Sequence, residues 1–211
     1  MSNVCTIMIV RILTPYEATQ LRRYKPALLH AVESGEYGDQ PVEYITGRVE
    51  FAGSLLKVSP SVLIPRVETE ELVERSLYSI HKLYRPTKEL VVVDVGTGSG
   101  AIGLSVWSRC QQLGLKNISI YLLDISPAAL RIARENFHLL QTKLAEQRSD
   151  TNFSKSSTNV TFIQSNLLES LPAGLKVDIM LANLPYIPSG RIPQLANSVR
   201  AFEPLLALDG G

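Results

Sequence analysis

The chain has 211 residues, of which 21 are basic and 20 acidic, for a formal net charge of +1, and 45% are hydrophobic. This balance excludes an intrinsically disordered chain and suits one sizeable globular core with a small appendage. The near-neutral charge excludes an overall basic field, so we expect no direct nucleic-acid partner. No apolar run is long enough to cross a bilayer, so we expect no membrane partner either.

The two cysteines, Cys5 and Cys110, lie far apart and form no CxxC motif. They favour a reducing compartment, and we expect a cytoplasmic protein. The apolar stretch Thr6–Leu13 is short and follows no basic segment, so it does not predict a signal peptide. Three histidines lack the spacing of metal ligands, and we expect no metal site: His30, His81 and His138.

The N-terminal part predicts two small units. Residues 1–40 form a reduced helical segment, in which Tyr16–Glu33 has helical character. Residues 41–66 form a linker that contains a β-hairpin, because Val49–Phe51 and Leu55–Val58 are strand-like and flank a short turn with a glycine.

Residues 67–211 predict the main domain. A helix over Glu68–Tyr84 opens it, with acidic residues in its first turn. Four buried strands then alternate with helices, the first of which spans Ala101–Leu113. A second helix begins after Ser126, which can cap its N-terminus, and Pro127 takes its first position. The strands are Leu90–Val95, Ile118–Leu123, Val160–Ile163 and Val177–Ala182. This alternation predicts an α/β fold with right-handed crossovers and a doubly wound, mainly parallel sheet.

Between the second and third of these strands, residues 141–159 become polar. Ser, Thr, Asn and Lys dominate the second half of this stretch. We expect that half to form an exposed loop with no catalytic role.

A glycine turn, defined here as Asp94–Gly100, joins the first buried strand to its helix. Its alternating glycines allow a tight turn and the close approach of a ligand at the carboxyl end of the sheet. Residues 98–103 also match the GxGxxG pattern of dinucleotide enzymes. An acidic Asp94 before the first glycine favours a cofactor with a cationic amino-acid tail over a pyrophosphate. S-adenosyl-L-methionine has such a tail and no phosphate.

Asp124 closes the second buried strand. A carboxylate in this position can accept hydrogen bonds from both ribose hydroxyls of an adenosine. Dinucleotide enzymes use the same arrangement, so Asp124 predicts a nucleoside cofactor without choosing between the two classes.

The acceptor loop, defined here as Asn183-Leu184-Pro185-Tyr186, follows the fourth buried strand. A planar nitrogen is a poor nucleophile, and two oxygens directed at its N–H bonds would position it and favour its developing positive charge. The Asn183 side chain and the Leu184 carbonyl can supply those oxygens, and Pro185 holds residue 184 extended. Tyr186 can present its ring to a flat substrate group.

Several segments together resemble the release factor glutamine methyltransferases, the HemK/PrmC family. In chain order these segments are residues 41–47 (PVEYITG), 50–53 (EFAG), 63–70 (LIPRVETE), 94–102, 124–126, 183–186, and 202–204 with 207–211. The first three are not general to methyltransferases and favour this family over nucleic-acid adenine methyltransferases. The resemblance implies a Rossmann-like methyltransferase fold that methylates the glutamine of the GGQ motif in peptide chain release factors.

The resemblance also implies site residues. The cofactor's methionine part would lie against Gly96, Thr97, Gly98, Ser99, Gly100, Ala101 and Ile102, near Asp94. Asp124 would bind ribose, Asn166 and Leu167 would flank adenine, and Asn183 would border both ligands. Asn183, Leu184, Pro185 and Tyr186 would hold the glutamine amide. Arg66, Glu68 and Glu70 would help close the site, unless they are solvated charges at the start of a helix.

The chain departs from the family pattern in four ways. Leu184 replaces the usual proline, Asn166 replaces the common aspartate, and the N-terminal helical domain is short. The chain also stops at residue 211, where the family continues into further strands, so we expect a fragment of low stability and low activity. A nucleic-acid adenine methyltransferase, an inactive cofactor-binding fragment and, more distantly, a dinucleotide oxidoreductase remain as alternatives.

Overall fold

The computed structural model describes residues 10–147 and 158–211. Its N-terminal part contains the short helices α1 (Pro15–Tyr24), α2 (Leu29–Glu33) and α3 (Val42–Thr46). Thr14 begins α1 with a capping box, since its hydroxyl accepts from the Glu17 N–H while the Glu17 carboxylate accepts from the Thr14 N–H. Pro26 cannot continue α1, so a 3₁₀ turn divides the predicted helical stretch in two.

The predicted hairpin is present as β1 (Arg48–Phe51) and β2 (Ser54–Lys57), which pair antiparallel. Ala52 and Gly53 form its two-residue turn with φ of 47° and 74°. Both residues of this turn need positive φ, which is typical of a tight hairpin. The carboxylate of Glu70 accepts from the Ala52 N–H at 2.9 Å and so fixes the turn to the next helix.

The main sheet contains four parallel strands in the order β5-β4-β3-β6. Its strands are β3 (Leu90–Val95), β4 (Ile118–Asp124), β5 (Asn159–Gln164) and β6 (Ile179–Ala182). The helices of this part are α4 (Glu70–Leu83), α5 (Ala101–Gln112), α6 (Pro127–Gln147) and α7 (Asn197–Arg200). The predicted alternation of strands and helices is therefore confirmed.

Helix α6 continues beyond the point where the sequence predicted a polar stretch. It reaches Gln147 because Leu140 and Leu144 extend its buried face by another turn. The exposed loop predicted for the second half of residues 141–159 lies largely outside the described residues.

The two faces of the sheet are buried differently. On one face, Val92, Ile120 and Leu122 belong to the main core, together with residues of α4, α5 and α6 such as Ile80 and Leu104. On the other face, a second cluster of Val91, Val93, Val95 and Leu123 packs with Leu171, Leu175 and Val177, which precede β6 without forming a helix. Among residues 10–147 and 158–211, no helix is both long and apolar enough to cross a membrane.

Candidate active site

A cavity of about 330 Å³ lies where the strands of the main sheet end. This volume falls in the usual range for small-molecule sites, roughly 300–1,000 Å³. Many of its wall residues were singled out from the sequence: Gly96, Thr97, Gly98, Ser99, Ala101, Ile102, Asp124, Asn166, Leu167, Asn183, Leu184 and Pro185. The structure therefore brings most of the predicted site residues to one place.

The glycine turn adopts a conformation that its glycines permit. Gly96 and Gly98 have φ of 68° and 57°, in the left-handed region that favours glycine. A Cβ built at Gly98 would meet no atom within 4 Å, so the backbone there borders open space. The Thr97 N–H donates to the carbonyl of Leu123 at 2.9 Å, which attaches the turn to β4.

Asp124 connects the end of β4 to the glycine turn. One of its carboxylate oxygens accepts from the Gly98 N–H at 2.8 Å, and the other accepts from the Ser126 N–H at 2.9 Å. Each oxygen keeps a second lone pair, so the half-buried carboxylate can still accept hydroxyl hydrogens from a ligand. Its position on the cavity wall is suited to the ribose contact inferred from the sequence.

Asp94 is placed differently from the sequence interpretation. Its side chain is fully buried behind the turn and is not part of the cavity wall. One oxygen accepts from the Thr97 hydroxyl at 2.6 Å and from the Gly103 N–H at 3.0 Å. The other has no hydrogen-bond partner within the described part of the chain. Asp94 thus holds the turn in place, and this geometry does not support a direct contact with the cofactor's ammonium group.

Burial, partly offset by the bonds from Thr97 and Gly103, raises the pKa of Asp94 from 3.8 to about 6. The native state then binds a proton at Asp94 that the unfolded chain has lost, so the contribution of Asp94 to stability falls as pH rises from about 4 to 6. Because an asparagine side chain would keep an acceptor oxygen without a charge, we expect Asp94→Asn to abolish this fall, which amounts to about 3 kcal/mol. Urea unfolding between pH 4 and 7 measures the difference.

Asp178→Asn serves as a control whose effect on stability should not vary with pH in this range. A bond from the Val91 N–H lowers the pKa of Asp178 below its ordinary value of 3.8, so its contribution to stability is lost only as pH falls below about 4. A wild-type protein whose unfolding free energy does not decline relative to Asp94→Asn between pH 4 and 6 would contradict the assignment.

The acceptor loop meets the glycine turn because β3 and β6 are neighbours. Val95 pairs with Ala182, so Gly96 and Asn183 follow at the same level of the sheet. A Cβ on Gly96 would lie 2.8 Å from the Leu184 side chain, so the two motifs are in close contact. Tyr186 is not part of the cavity wall, and its ring is 80% exposed.

The last residues of the chain brace the acceptor loop. The Ile187 N–H donates to the carbonyl of Leu208 at 3.1 Å, and the Gly210 N–H donates to the carbonyl of Ile187 at 2.9 Å. The Ser189 hydroxyl donates to the Asp209 carboxylate at 2.7 Å. These bonds hold the chain just after the loop, whereas β6 holds the chain just before it. The sequence did not predict this second support.

We expect Gly210→Ala to lower the unfolding free energy by about 1–3 kcal/mol. The new Cβ would lie 2.7 Å from the Pro185 carbonyl oxygen and 2.9 Å from the Tyr186 Cα, and these backbone atoms cannot move without shifting the loop. Gly190→Ala is the matched control, because a Cβ there meets no atom within 4 Å. Equal thermal unfolding curves for the two variants would exclude this close packing.

The three charges expected to close the site have separate contacts. Arg66 pairs with the buried Glu203, and Glu70 binds the hairpin turn, as described above. Glu68 is exposed at the start of the 3₁₀ turn that precedes α4. None of the three belongs to the cavity wall.

The adenine-flanking residues inferred by resemblance both line the cavity. The Asn166 amide donates to the Glu169 carboxylate at 2.8 Å, and Leu167 has φ of 48° and a side chain 53% exposed. A leucine in the left-handed region is strained by about 1 kcal/mol or more. An apolar side chain held exposed beside a cavity is available to a flat ligand.

Sequence reasoning missed a large part of the wall. The missed residues are Ser61, Val62, Leu63, Pro65, Thr69, Val95, Ile125, Ser126, Ala129, Ser165, Pro204, Leu206, Ala207 and Asp209. Most are apolar or small and carry no chemical signal of their own. The only indication was that several lie within segments that resemble the family.

Comparisons with known proteins give a consistent result. A family model described as a methyltransferase domain matches residues 86–207. A release factor glutamine methyltransferase of Moorella thermoacetica is 41% identical over 171 residues, which cover 81% of this chain and 52% of the relative. Its namesake in Bacillus subtilis is 39% identical over 173 residues, with 81% and 53% covered. The resemblance found in the sequence is confirmed, and the chain spans about half the length of these relatives.

Among solved structures, the N-terminal domain of human METTL16 in complex with SAH is 16% identical, with a TM-score of 0.40. The match covers 64% of this chain and 47% of that one. The parallel sheet and the family match together show the Rossmann-like methyltransferase fold that the resemblance implied.

Proposed function

Because the chain belongs to the methyltransferase-domain family, we propose that it methylates the side-chain amide nitrogen of the GGQ glutamine in peptide chain release factors, with S-adenosylmethionine as methyl donor. One observation carries this proposal. The Asn183 and Leu184 positions border the same cavity as the glycine turn and Asp124, so a nitrogen acceptor and a nucleoside cofactor can meet there.

The residues of the wall fit the proposed cofactor. Gly98 leaves open space beside a backbone that a ligand can approach, and Asp124 keeps lone pairs for ribose hydroxyls. Asn166 and Leu167 offer an amide and an apolar side chain at the end of β5, where adenine would lie. When bound, S-adenosylmethionine supplies an electrophilic methyl group on a sulfonium.

The chain's own contribution to the reaction is to position the acceptor. The two N–H groups of the glutamine amide would donate hydrogen bonds, one to the side-chain oxygen of Asn183 and one to the backbone carbonyl of Leu184. Pro185 restricts residue 184, and so the direction of that carbonyl is fixed before the substrate arrives. These fixed dipoles favour the positive charge that develops on nitrogen, and water can take the released proton. Val62, Leu63 and Leu206 supply apolar wall that limits access of water.

The substrate is inferred from the relatives and from the acceptor loop. The curated relatives are named release factor glutamine methyltransferases, and the same loop chemistry would hold the amino group of adenine. Tyr186, the last residue of the loop, is exposed, so a protein segment arriving from solution could contact it. A release factor is thus the proposed partner, and a cytoplasmic location stays a prediction.

Transfer of labelled methyl groups tests the proposal. The chain is incubated with methyl-labelled S-adenosylmethionine and a release factor, its GGQ→GGA variant, or an adenine-containing oligonucleotide. We expect label on the unaltered release factor alone. Label retained on the GGA variant would show that another residue is the methyl acceptor. Label on the oligonucleotide alone would favour the adenine methyltransferase alternative.

A further inference from the structure

Two segments distant in sequence contribute neighbouring parts of the cavity wall. The first is Ser61–Pro65, of which Ser61, Val62, Leu63 and Pro65 line the cavity, and the second is Pro204–Ala207, of which Pro204, Leu206 and Ala207 do. Neither segment belongs to a strand of the main sheet. Their placement therefore depends on contacts between side chains and backbone.

Glu203 makes the contacts that join these segments. One of its carboxylate oxygens accepts from the guanidinium of Arg66, and the other accepts from the Ile64 N–H at 3.3 Å. The Glu203 side chain is only 1% exposed, whereas that of Arg66 is 39% exposed. A carboxylate so deeply buried is costly unless it is paired and hydrogen-bonded, so its retention depends on both partners.

The first segment has a second attachment, through Tyr44. The buried phenol of Tyr44 donates to the carbonyl of Val62 at 2.6 Å. Burial, with the nearby Glu203 carboxylate adding to it, raises the pKa of Tyr44 and keeps the phenol a donor at neutral pH. Leu63 and Pro65 are thus fixed from Tyr44 on one side and from Glu203 on the other.

The second segment leads directly to the acceptor loop. It ends at Ala207, and the carbonyl of the next residue, Leu208, accepts from the N–H of Ile187, one residue after the loop ends. Glu203 itself is anchored by its N–H, which donates to the carbonyl of Val199 at 2.9 Å. A displacement of Glu203 would therefore reach both the first segment and the loop that holds the acceptor.

We propose that Arg66 and Glu203 form a positioning pair that holds Ser61–Pro65 against Pro204–Ala207 and thereby fixes the acceptor side of the cavity. The inference rests on the proposed function for its acceptor, although the pair itself is independent of it. Neither side chain lines the cavity, so both act through the backbone segments that they join. Weakening the pair lowers kcat/KM for the acceptor more than the affinity for the cofactor, because the cofactor has its own contacts at the glycine turn and Asp124.

The pair is tested with Glu203→Gln, which keeps the shape and the bond from Ile64, and with Arg66→Met, which removes the guanidinium. We expect kcat/KM for the release factor to fall about tenfold in each variant, whereas the Kd for S-adenosylmethionine changes less than about twofold. Arg66→Lys should recover part of the loss, because it restores a positive charge without the planar fork. Arg75→Met is the control, since its exposed partner Glu71 lies on α4 away from the cavity.

Amide hydrogen exchange gives a readout that does not depend on the substrate. In Glu203→Gln and Arg66→Met, residues 62–66 and 203–208 should lose protection together, while β3 and β4 keep theirs. If neither segment loses protection and the kinetics stay at the wild-type level, the proposal is overturned. If Glu203→Gln does not fold, the comparison of Arg66→Met with Arg66→Lys decides in its place. A wild-type chain that methylates no release factor would defeat the proposed function, and the exchange data would still test the pair.

Discussion

Asn183→Ala is expected to lower the turnover number for methyl transfer by about 100- to 1,000-fold, the loss typical when one preorganised polar contact to developing charge is removed. The Asn183 side chain lies at the end of β6, level with Gly96 across the β3–β6 pairing. Its oxygen is the only side-chain acceptor that the acceptor loop offers besides the phenol of Tyr186, which is not part of the cavity wall. Single-turnover kinetics with saturating release factor measures the effect on the chemical step.

The affinity for S-adenosylmethionine should change by less than about threefold in Asn183→Ala, because the glycine turn and Asp124 remain intact. Asn197→Ala is a control that removes an exposed asparagine, whose amide donates to Asp39 at 2.8 Å, and neither residue is part of the cavity wall. A large loss of cofactor affinity with little change in the chemical step would show that Asn183 serves the cofactor and not the acceptor.

Asp124→Ala is expected to weaken the binding of S-adenosylhomocysteine by about 100-fold or more, since two backbone donors and the ribose lose a charged acceptor. Without the carboxylate, the Gly98 N–H and the Ser126 N–H lose the partner that joins the turn to the end of β4. Titration calorimetry measures the affinity directly. The affinity of Asp124→Asn should fall between those of the wild type and Asp124→Ala, because its oxygen can still accept one of these bonds.

Asp178→Ala is the matched control for this substitution. Asp178 also accepts a backbone bond, from Val91 at 2.9 Å, but it lies just before β6, at the end of the sheet opposite the cavity. Its replacement should lower stability and leave the affinity for S-adenosylhomocysteine unchanged. Equal losses of affinity in the two variants would mean that Asp124 acts only through general stability.

The strands and the meeting of the two motifs could be predicted from the sequence. Leu90–Val95 is a continuous apolar run, and it forms a strand whose residues are all buried. Parallel strands end at the same edge of a sheet, so a motif after β3 and a motif after β6 had to approach each other once the strands paired. The close contact of Gly96 with Leu184 is the direct result.

Other parts of the site depend on contacts that no local pattern reveals. Arg66 and Glu203 are 137 residues apart, and nothing near either residue indicates the other. The sequence shows only that Asp94 is acidic, which suggests a place in the cavity, whereas the bonds from Thr97 and Gly103 turn its side chain inward. The limits of α6 were missed because Leu140 and Leu144 are buried by tertiary packing within a polar stretch.

Some expectations from the sequence remain predictions. The division of the chain into residues 1–40, 41–66 and 67–211 is one of them. The second and third of these segments are in contact, since Glu70 accepts from the Ala52 N–H in the hairpin turn. Low stability was expected because a parallel sheet would expose an edge. Within the described residues β6 pairs with β3 alone and is one of the two edge strands of the main sheet. Thermal unfolding of the 211-residue chain measures this expectation.

The role proposed for the acceptor loop is to hold a glutamine amide so that the methyl group reaches its nitrogen. The most direct test is to hydrolyse the labelled release factor in acid, which converts an N-methylated glutamine into glutamate and methylamine. We expect the label to be recovered as methylamine, which becomes volatile once the hydrolysate is made alkaline, and we expect Asn183→Ala to yield almost none. Label recovered instead on another amino acid, or as methyladenine from nucleic acid, would show that a glutamine amide is not the acceptor.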